Sequence, residues 1–196
     1  MLTPKFKITG ISDLMFGRYV PEKKKDGETH DQYEERTWQQ KCAMDDAGHL
    51  YLNGFAVKNG LEHAAKWLGR KIPGEGKKTY TARFASGIIP SAKIALLNGD
   101  GKTPMTIKCV EPVRLFVPSD GKRGSGSRVF RIFPTVHSWS ATGELTVFDG
   151  KLTAEVIEDH MRAMGQFGGL GAMRVQNGGV NGRFTLDKLE CSELTM

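Results

Sequence analysis

Two hydrophobic periods succeed one another along this chain in an order that leaves few topologies open. Residues 4–11, PKFKITGI, set Phe6 and Ile8 against Lys5, Lys7 and Thr9, the alternation of a half-buried strand. After a short strand pattern at 49–53, HLYLN, the residues Leu61, Ala64, Ala65 and Leu68 recur at i, i+3, i+4 and i+7, and Gly69 marks the end of the helix they imply. Between 88 and 149 the runs GIIPSAKIALL, MTIKCV, VRLFV, RVFRIFPTV and ELTVF read as strands, parted by NGDGK, SDGKRGSGS and WSATG. Thr153 then offers an N-cap with Glu155 in the first turn, and Ile157, His160, Met161 and Met164 share one helical face as far as Gly165. In GRFTLDKLE, Phe184 and Leu186 alternate with Thr185 and Asp187 as a last strand.

The order strand, helix, strands, short helix, strand predicts an α+β fold: a modified ferredoxin-like (βαββαβ, RRM-like) antiparallel sheet with inserted loops and a C-terminal glycine-rich loop. With 39% hydrophobic residues the chain can bury a real core, and 1–196 reads as a single domain with insertions at about 18–48, 69–87 and 118–128. The first insertion carries the basic turn PEKKKDGETH and a helical DQYEERTWQQK that packs Tyr33 and Trp38 inward. GRKIPGEGKKTYTAR is a basic, exposed loop, and DGKRGSGS is a flexible hairpin tip. Phe130, Ile132, Phe133 and Phe148 are assigned to the sheet core, while Tyr80 and Trp139, beside polar loops, are open to either base stacking or packed turns.

Several function classes fall away. No apolar run approaches the roughly 20 residues that cross a bilayer, and MLTPKFKITG lacks a signal-peptide core, so a soluble cytoplasmic protein is expected. Cys42, Cys109 and Cys191 are scattered without CxxC spacing, which suggests neither a disulfide framework nor a zinc site. The five histidines, His30, His49, His63, His137 and His160, show no metal-ligand spacing, so no cofactor, metal or catalytic residue is assigned. His160 shares the apolar stripe of its helix and reads as a core histidine. A surplus of 28 Lys+Arg over 22 Asp+Glu favours a polyanionic partner.

The glycine-rich stretch GQFGGLGAMRVQNGGVNGRF, residues 165–184, carries Arg174 and Arg183 as its only charged residues. It follows a helix and leads into a strand, the reverse of a dinucleotide-binding loop, where phosphate meets a helix N-terminus. GEGKKT at 74–79 is no phosphate loop either, because Lys71 stands where the first Gly would fall. Two readings remain: a connection that negotiates tight turns beside a sheet, or a bare backbone that packs with two guanidiniums against a sugar-phosphate chain.

Gly169-Leu170-Gly171, then AMRVQ with Arg174, then Asn177-Gly178-Gly179 resembles the loop of the RAMP superfamily of CRISPR-associated RNA-binding proteins. Asn177 stands where that pattern has Gly, and Gly178 where it has an apolar residue; Asn tolerates the left-handed backbone best among the other residues. LYLNGFAVKNGLEHAA, residues 50–65, is similar to the strand-turn-helix entry of CRISPR interference backbone subunits, with Lys58 at the position of a lysine near the guide RNA. ITGISDLMFGRYV is similar to small bacteriophage proteins, which brings in a phage-encoded relative.

The resemblance implies a non-enzymatic binder of single-stranded nucleic acid, RNA in preference to single-stranded DNA, gripping the sugar-phosphate backbone. Gly169, Gly171, Arg174, Gly179, Arg183 and Lys58 would contact it, and loops bearing Lys77, Lys78, Lys122 and Arg123 would embrace it. It also implies partners, either further copies lined up along the RNA as a homo-oligomer or CRISPR complex subunits, in interference or in its inhibition by phage. Two alternatives stand beside it: a protein-interaction module that mimics a CRISPR subunit, and a metal-independent endoribonuclease with His30 or His137 as general base.

Overall fold

The computed structural model describes residues 1–121, 124 and 126–193. Its larger sheet is built around β1 (Leu2–Gly10), which pairs antiparallel with β8 (Trp139–Val147) on one side and β9 (Phe184–Glu193) on the other. β3 (Tyr51–Asn53) and β5 (Lys93–Asn98) extend it to the order β3-β5-β8-β1-β9, and β4 (Ile88–Pro90) lies beside β8 as well. The alternation in β1 does what it predicts: Phe6 and Ile8 are buried and Lys5 is exposed. WSATG, which reads as a break, is instead the first half of β8, because pairing with β1 (Lys7 with Thr142) and β5 (Ala95 with Thr142) overrides its weak local signal.

Helices α2 (Gly54–Leu68) and α4 (Ala154–Ala163) cover the Phe6/Ile8 face with Val57, Leu61, Ile157 and Met161. The Asn53 side chain accepts from the Phe55 amide at 2.9 Å to start α2, and Gly69 ends it in the left-handed conformation. Thr153 caps α4 as the sequence indicates. Gly165 does not end that helix: the chain passes into a π-helical turn, Met164–Gly168, in which Gly165 lies against the Phe184 carbonyl at the start of β9. A third helix, α3 (Thr81–Gly87), occupies part of what the sequence presents as loop, with Phe84 fully buried and Arg83 bonded to Glu75 and Asp149.

A second, three-stranded antiparallel sheet, β2-β7-β6, comprises β2 (Leu14–Met15), β6 (Glu111–Pro118) and β7 (Arg128–Val136). It branches from the larger sheet, since β7 runs into β8 through His137 and Ser138 alone. MTIKCV forms a single 3₁₀ turn at Ile107–Cys109, not a strand. Helix α1 (His30–Thr37) is fastened to β7 by a buried pair: the Lys41 ammonium donates to the Glu34 carboxylate and to the Ile132 carbonyl, while the Ile132 amide donates to Glu34 at 2.7 Å. Tyr33 and Trp38 are half-buried beside it. Ile132 is core as expected, but Phe130 and Phe148 are exposed; Phe130 instead lies against Phe116 across the β6–β7 hairpin. Among the described residues, no helix is long and apolar enough to cross a membrane.

Candidate nucleic-acid interface

From residue 169 to 182 the glycine-rich segment folds on itself. The Leu170 amide donates to the Gly182 carbonyl, the Gly179 amide to the Arg174 carbonyl and the Asn181 amide to the Met173 carbonyl. Two further bonds tie it to β2 and the residue before it: the Ala172 amide reaches the Met15 carbonyl, and the Gly182 amide the Asp13 carbonyl, each at 2.7 Å. The missing side chains serve this folding. A Cβ on Gly182 would lie 1.9 Å from the Leu170 oxygen, and one on Gly179 would lie 1.8 Å from the Met173 oxygen. Gly169 and Gly171 are likewise filled by the chain itself, facing the carbonyls of Asn181 and Met15. The expectation that these glycines clear space for a polymer is therefore corrected: the space is taken by backbone.

Toward a neighbouring cavity the folded segment offers a side chain. Arg174 projects into a cavity of about 400 Å³ whose wall also includes Arg18, Lys41, Asn53, Gly171 and Ala172. The strand that follows β1, the junction of β3 with α2, and the glycine-rich segment meet there. Lys41 is committed to Glu34, so Arg18 and Arg174 are the cations in the wall with no hydrogen bond or ion pair through their side chains among the described residues. Arg174 Nε is buried and has no acceptor, a state that costs about 1–3 kcal/mol until an acceptor arrives. Among the described residues no carboxylate lines the cavity. The capped N-terminus of α2, with its partial positive charge, borders it through Asn53 and Ala56. Arg174 also lies near His63 of α2, whose pKa is lowered by burial first and by that guanidinium second. The arrangement is chemically suited to an external anion with several acceptor oxygens.

The remaining expected contacts are dispersed. Arg183 is exposed just before β9 and outside this wall; its main chain bonds to Ser12 and Ile11, and its guanidinium has no hydrogen bond or ion pair among the described residues. Lys58 lines a separate groove on the other side of Asn53. Lys77 and Lys78 are exposed in the 69–80 loop, with Lys78 3.9 Å from Glu75. Lys122 and Arg123 lie outside the described residues. Arg18 was missed by sequence reasoning, since nothing in GRYV signals that this loop folds across the β3–α2 junction.

The two residues considered for base stacking are internal. Trp139 is fully buried with its indole N–H on the Ser12 carbonyl at 2.8 Å, and Tyr80 is buried edge-on to His160. His160 is a core residue, its pKa lowered by burial. His137 sits between Asp13 (2.8 Å) and Glu111 (3.4 Å), its pKa raised by the Asp13 hydrogen bond above all. His30 Nε2 is 3.0 Å from the Phe130 carbonyl. Neither lines the cavity. The described residues hold no cluster of His, Cys, Asp and Glu fit for a metal ion. The open face of the larger sheet is charge-mixed, with Lys5 paired to Glu144 and Lys188 to Glu190.

The fold is an α+β arrangement of two antiparallel sheets with helices, and it has solved counterparts. It is similar to a chain in the cryo-EM structure of the Type III-B Cmr-beta bound to cognate target RNA, with a TM-score of 0.58, 12% identity, and coverage of 97% of this chain and 60% of that one. This chain thus spans 60% of that neighbour. A further match is the crystal structure of Cmr6 from Pyrococcus furiosus, with a TM-score of 0.47, 15% identity, and coverage of 95% and 99%. No protein-family model and no curated protein sequence matches the chain.

Proposed function

We propose that this chain binds single-stranded RNA by its phosphates, without cutting it, as a RAMP-like module of a CRISPR interference assembly or of a phage protein directed at one. The observation that carries the reading is the buried Arg174 Nε and the Arg18 guanidinium in one cavity, both without a side-chain partner among the described residues, which place no carboxylate in its wall. The order β5-β8-β1-β9, with α2 and α4 on one face, supports a modified ferredoxin-like sheet. On that reading 165–183 is the glycine-rich loop, the whole of 1–196 is one domain, and its insertions are those at 18–48, 69–87 and 118–128. The shared fold with a chain from a complex bound to target RNA supports the choice of RNA and of CRISPR subunits as partners; further copies of this chain along the RNA belong to the same proposal.

Arg174 and Arg18 hold one phosphate in the cavity, while Arg183 and Lys58 receive the strand on either side. Lys77 and Lys78 on the 69–80 loop, together with Lys122 and Arg123, add sequence-tolerant attraction. A binder is favoured over a nuclease because His30 and His137 are bonded away from the cavity. The test is a titration of fluorescent single-stranded RNA with the wild-type protein and with an Arg18→Ala/Arg174→Ala double variant whose melting confirms folding. Binding weakened at least tenfold in the variant, with intact RNA recovered, supports the site; equal binding removes it, and cleaved RNA removes the non-enzymatic assignment.

A further inference from the structure

On the other side of Asn53 from the cationic cavity lies a groove of about 440 Å³ with a different chemistry. Its wall is Asn53, Phe55, Lys58, Ile89, Pro90 and Ala92, together with Gly54. Phe55 is 68% exposed and Ile89 57% exposed, two large apolar side chains left uncovered at one place on the surface. The groove exists because β4 and β5 are interrupted at Ser91 and Ala92: the Gly54 amide donates to the Ala92 carbonyl at 3.0 Å, so the first turn of α2 is drawn onto the break. A Cβ on Gly54 would lie 2.1 Å from the Ser91 oxygen, so only glycine allows this approach. Phe55, the next residue, is thereby carried outward beside Pro90 and Ile89.

Resting on the RNA reading above, we propose that this groove is a base slot, in which one nucleobase stacks on the Phe55 ring against Ile89 and Pro90. Three observations select a nucleobase as the occupant. The groove shares Asn53 with the cavity that holds Arg18 and Arg174, so a phosphate in one and a base in the other are separated by a single residue at the α2 N-terminus. Lys58 stands one helical turn beyond Asn53 and Gly54 on the groove's rim, with no partner among the described residues, and supplies a second phosphate contact for the same nucleotide. Apart from Asn53 and Lys58 the wall is apolar, and among the described residues it carries no acidic group, which suits a flat aromatic ring that belongs to an anionic chain. Every base has a stacking face, so the slot strengthens binding without dictating sequence.

The experiment compares two probes, a short uridylate oligomer and an oligomer of the same length and ribose-phosphate backbone with its bases removed, against wild type, Phe55→Ala and Ile89→Ala. Phe55 and Ile89 are surface residues, and thermal melting verifies that both variants stay folded. The expected result is that wild type prefers the uridylate by about 5- to 150-fold, the range for loss of a stacked base. Phe55→Ala should abolish most of that preference and leave binding of the base-free oligomer unchanged, with Ile89→Ala intermediate. If wild type and Phe55→Ala bind both oligomers alike, the slot is overturned while backbone binding survives, and a protein segment becomes the better occupant. If wild type binds neither oligomer, the RNA reading fails and the slot fails with it.

Discussion

The glycine-rich segment at 165–183 and the basic loop at 69–80 have the same look in sequence, glycines interleaved with cations, yet they are built on opposite terms. In the loop, Gly74 and Gly76 have positive φ with open space around them, and the neighbouring Lys77 projects into solvent. In the segment, a Cβ at Gly165, Gly171, Gly179 or Gly182 would come within 2.5 Å of a carbonyl oxygen of the chain itself, and amides are spent on Met15, Asp13 and one another. The first use of glycine makes a turn; the second makes a packed, side-chain-free knot that aims one arginine into a cavity. Density of glycine alone does not distinguish them.

The sharpest way to break this comparison is Gly182→Ala. It combines a left-handed φ of 75° with a Cβ 1.9 Å from the Leu170 oxygen, and should destabilise the fold by about 2–5 kcal/mol in a denaturant titration. Gly76→Ala, strained in φ but unobstructed, should cost only about 1–2 kcal/mol. A loss as large as that of Gly182→Ala would mean the loop is packed too. Within the segment, Gly168→Ala is the control: its φ is not positive and its nearest neighbour is an ordinary 3.6 Å away, so stability should be unchanged or rise by about 0.4–1 kcal/mol.

The smallest expected effect is a pH dependence confined to the segment's support. His137 holds Asp13, whose carbonyl receives the Gly182 amide; the loop has no equivalent. Because the folded-state pKa of His137 is raised, its stabilisation is complete below about pH 6.5 and fades as pH climbs through the folded-state value. The difference in Tm between wild type and His137→Gln should therefore shrink from mildly acidic to mildly alkaline buffer. It stays small, since the imidazole is half exposed and screened. A difference that stays flat or widens with pH would show that the Asp13 contact is absent.

Legibility in the sequence followed how local each cause is. The alternation in β1 and β9, the stop at Gly69 and the cap at Thr153 are written in adjacent residues, and the structure reproduces them. α3 was missed because its seven residues are too few to show a period, and its anchoring comes from Glu75 and Asp149, the latter distant in sequence. Trp139 and Tyr80 stay open between stacking and packing in the sequence for the same reason: their neighbours are polar, and only the Ser12 carbonyl and His160, distant in sequence, hold them inside. Arg174 was visible as a cation among glycines. Its partner Arg18 was not, because the two meet only when the stretch after β2 crosses the β3–α2 junction.

The central claim is that the cavity beside the glycine-rich segment neutralises RNA phosphate through Arg18 and Arg174, and the salt dependence of binding tests it most directly. The dissociation constant for single-stranded RNA, measured across a salt series, gives a log–log slope that counts phosphate contacts. For the Arg18→Ala/Arg174→Ala variant the slope should fall in magnitude by about 0.7 relative to wild type, because the two arginines share one phosphate. A folded variant that keeps the wild-type slope would contradict the account.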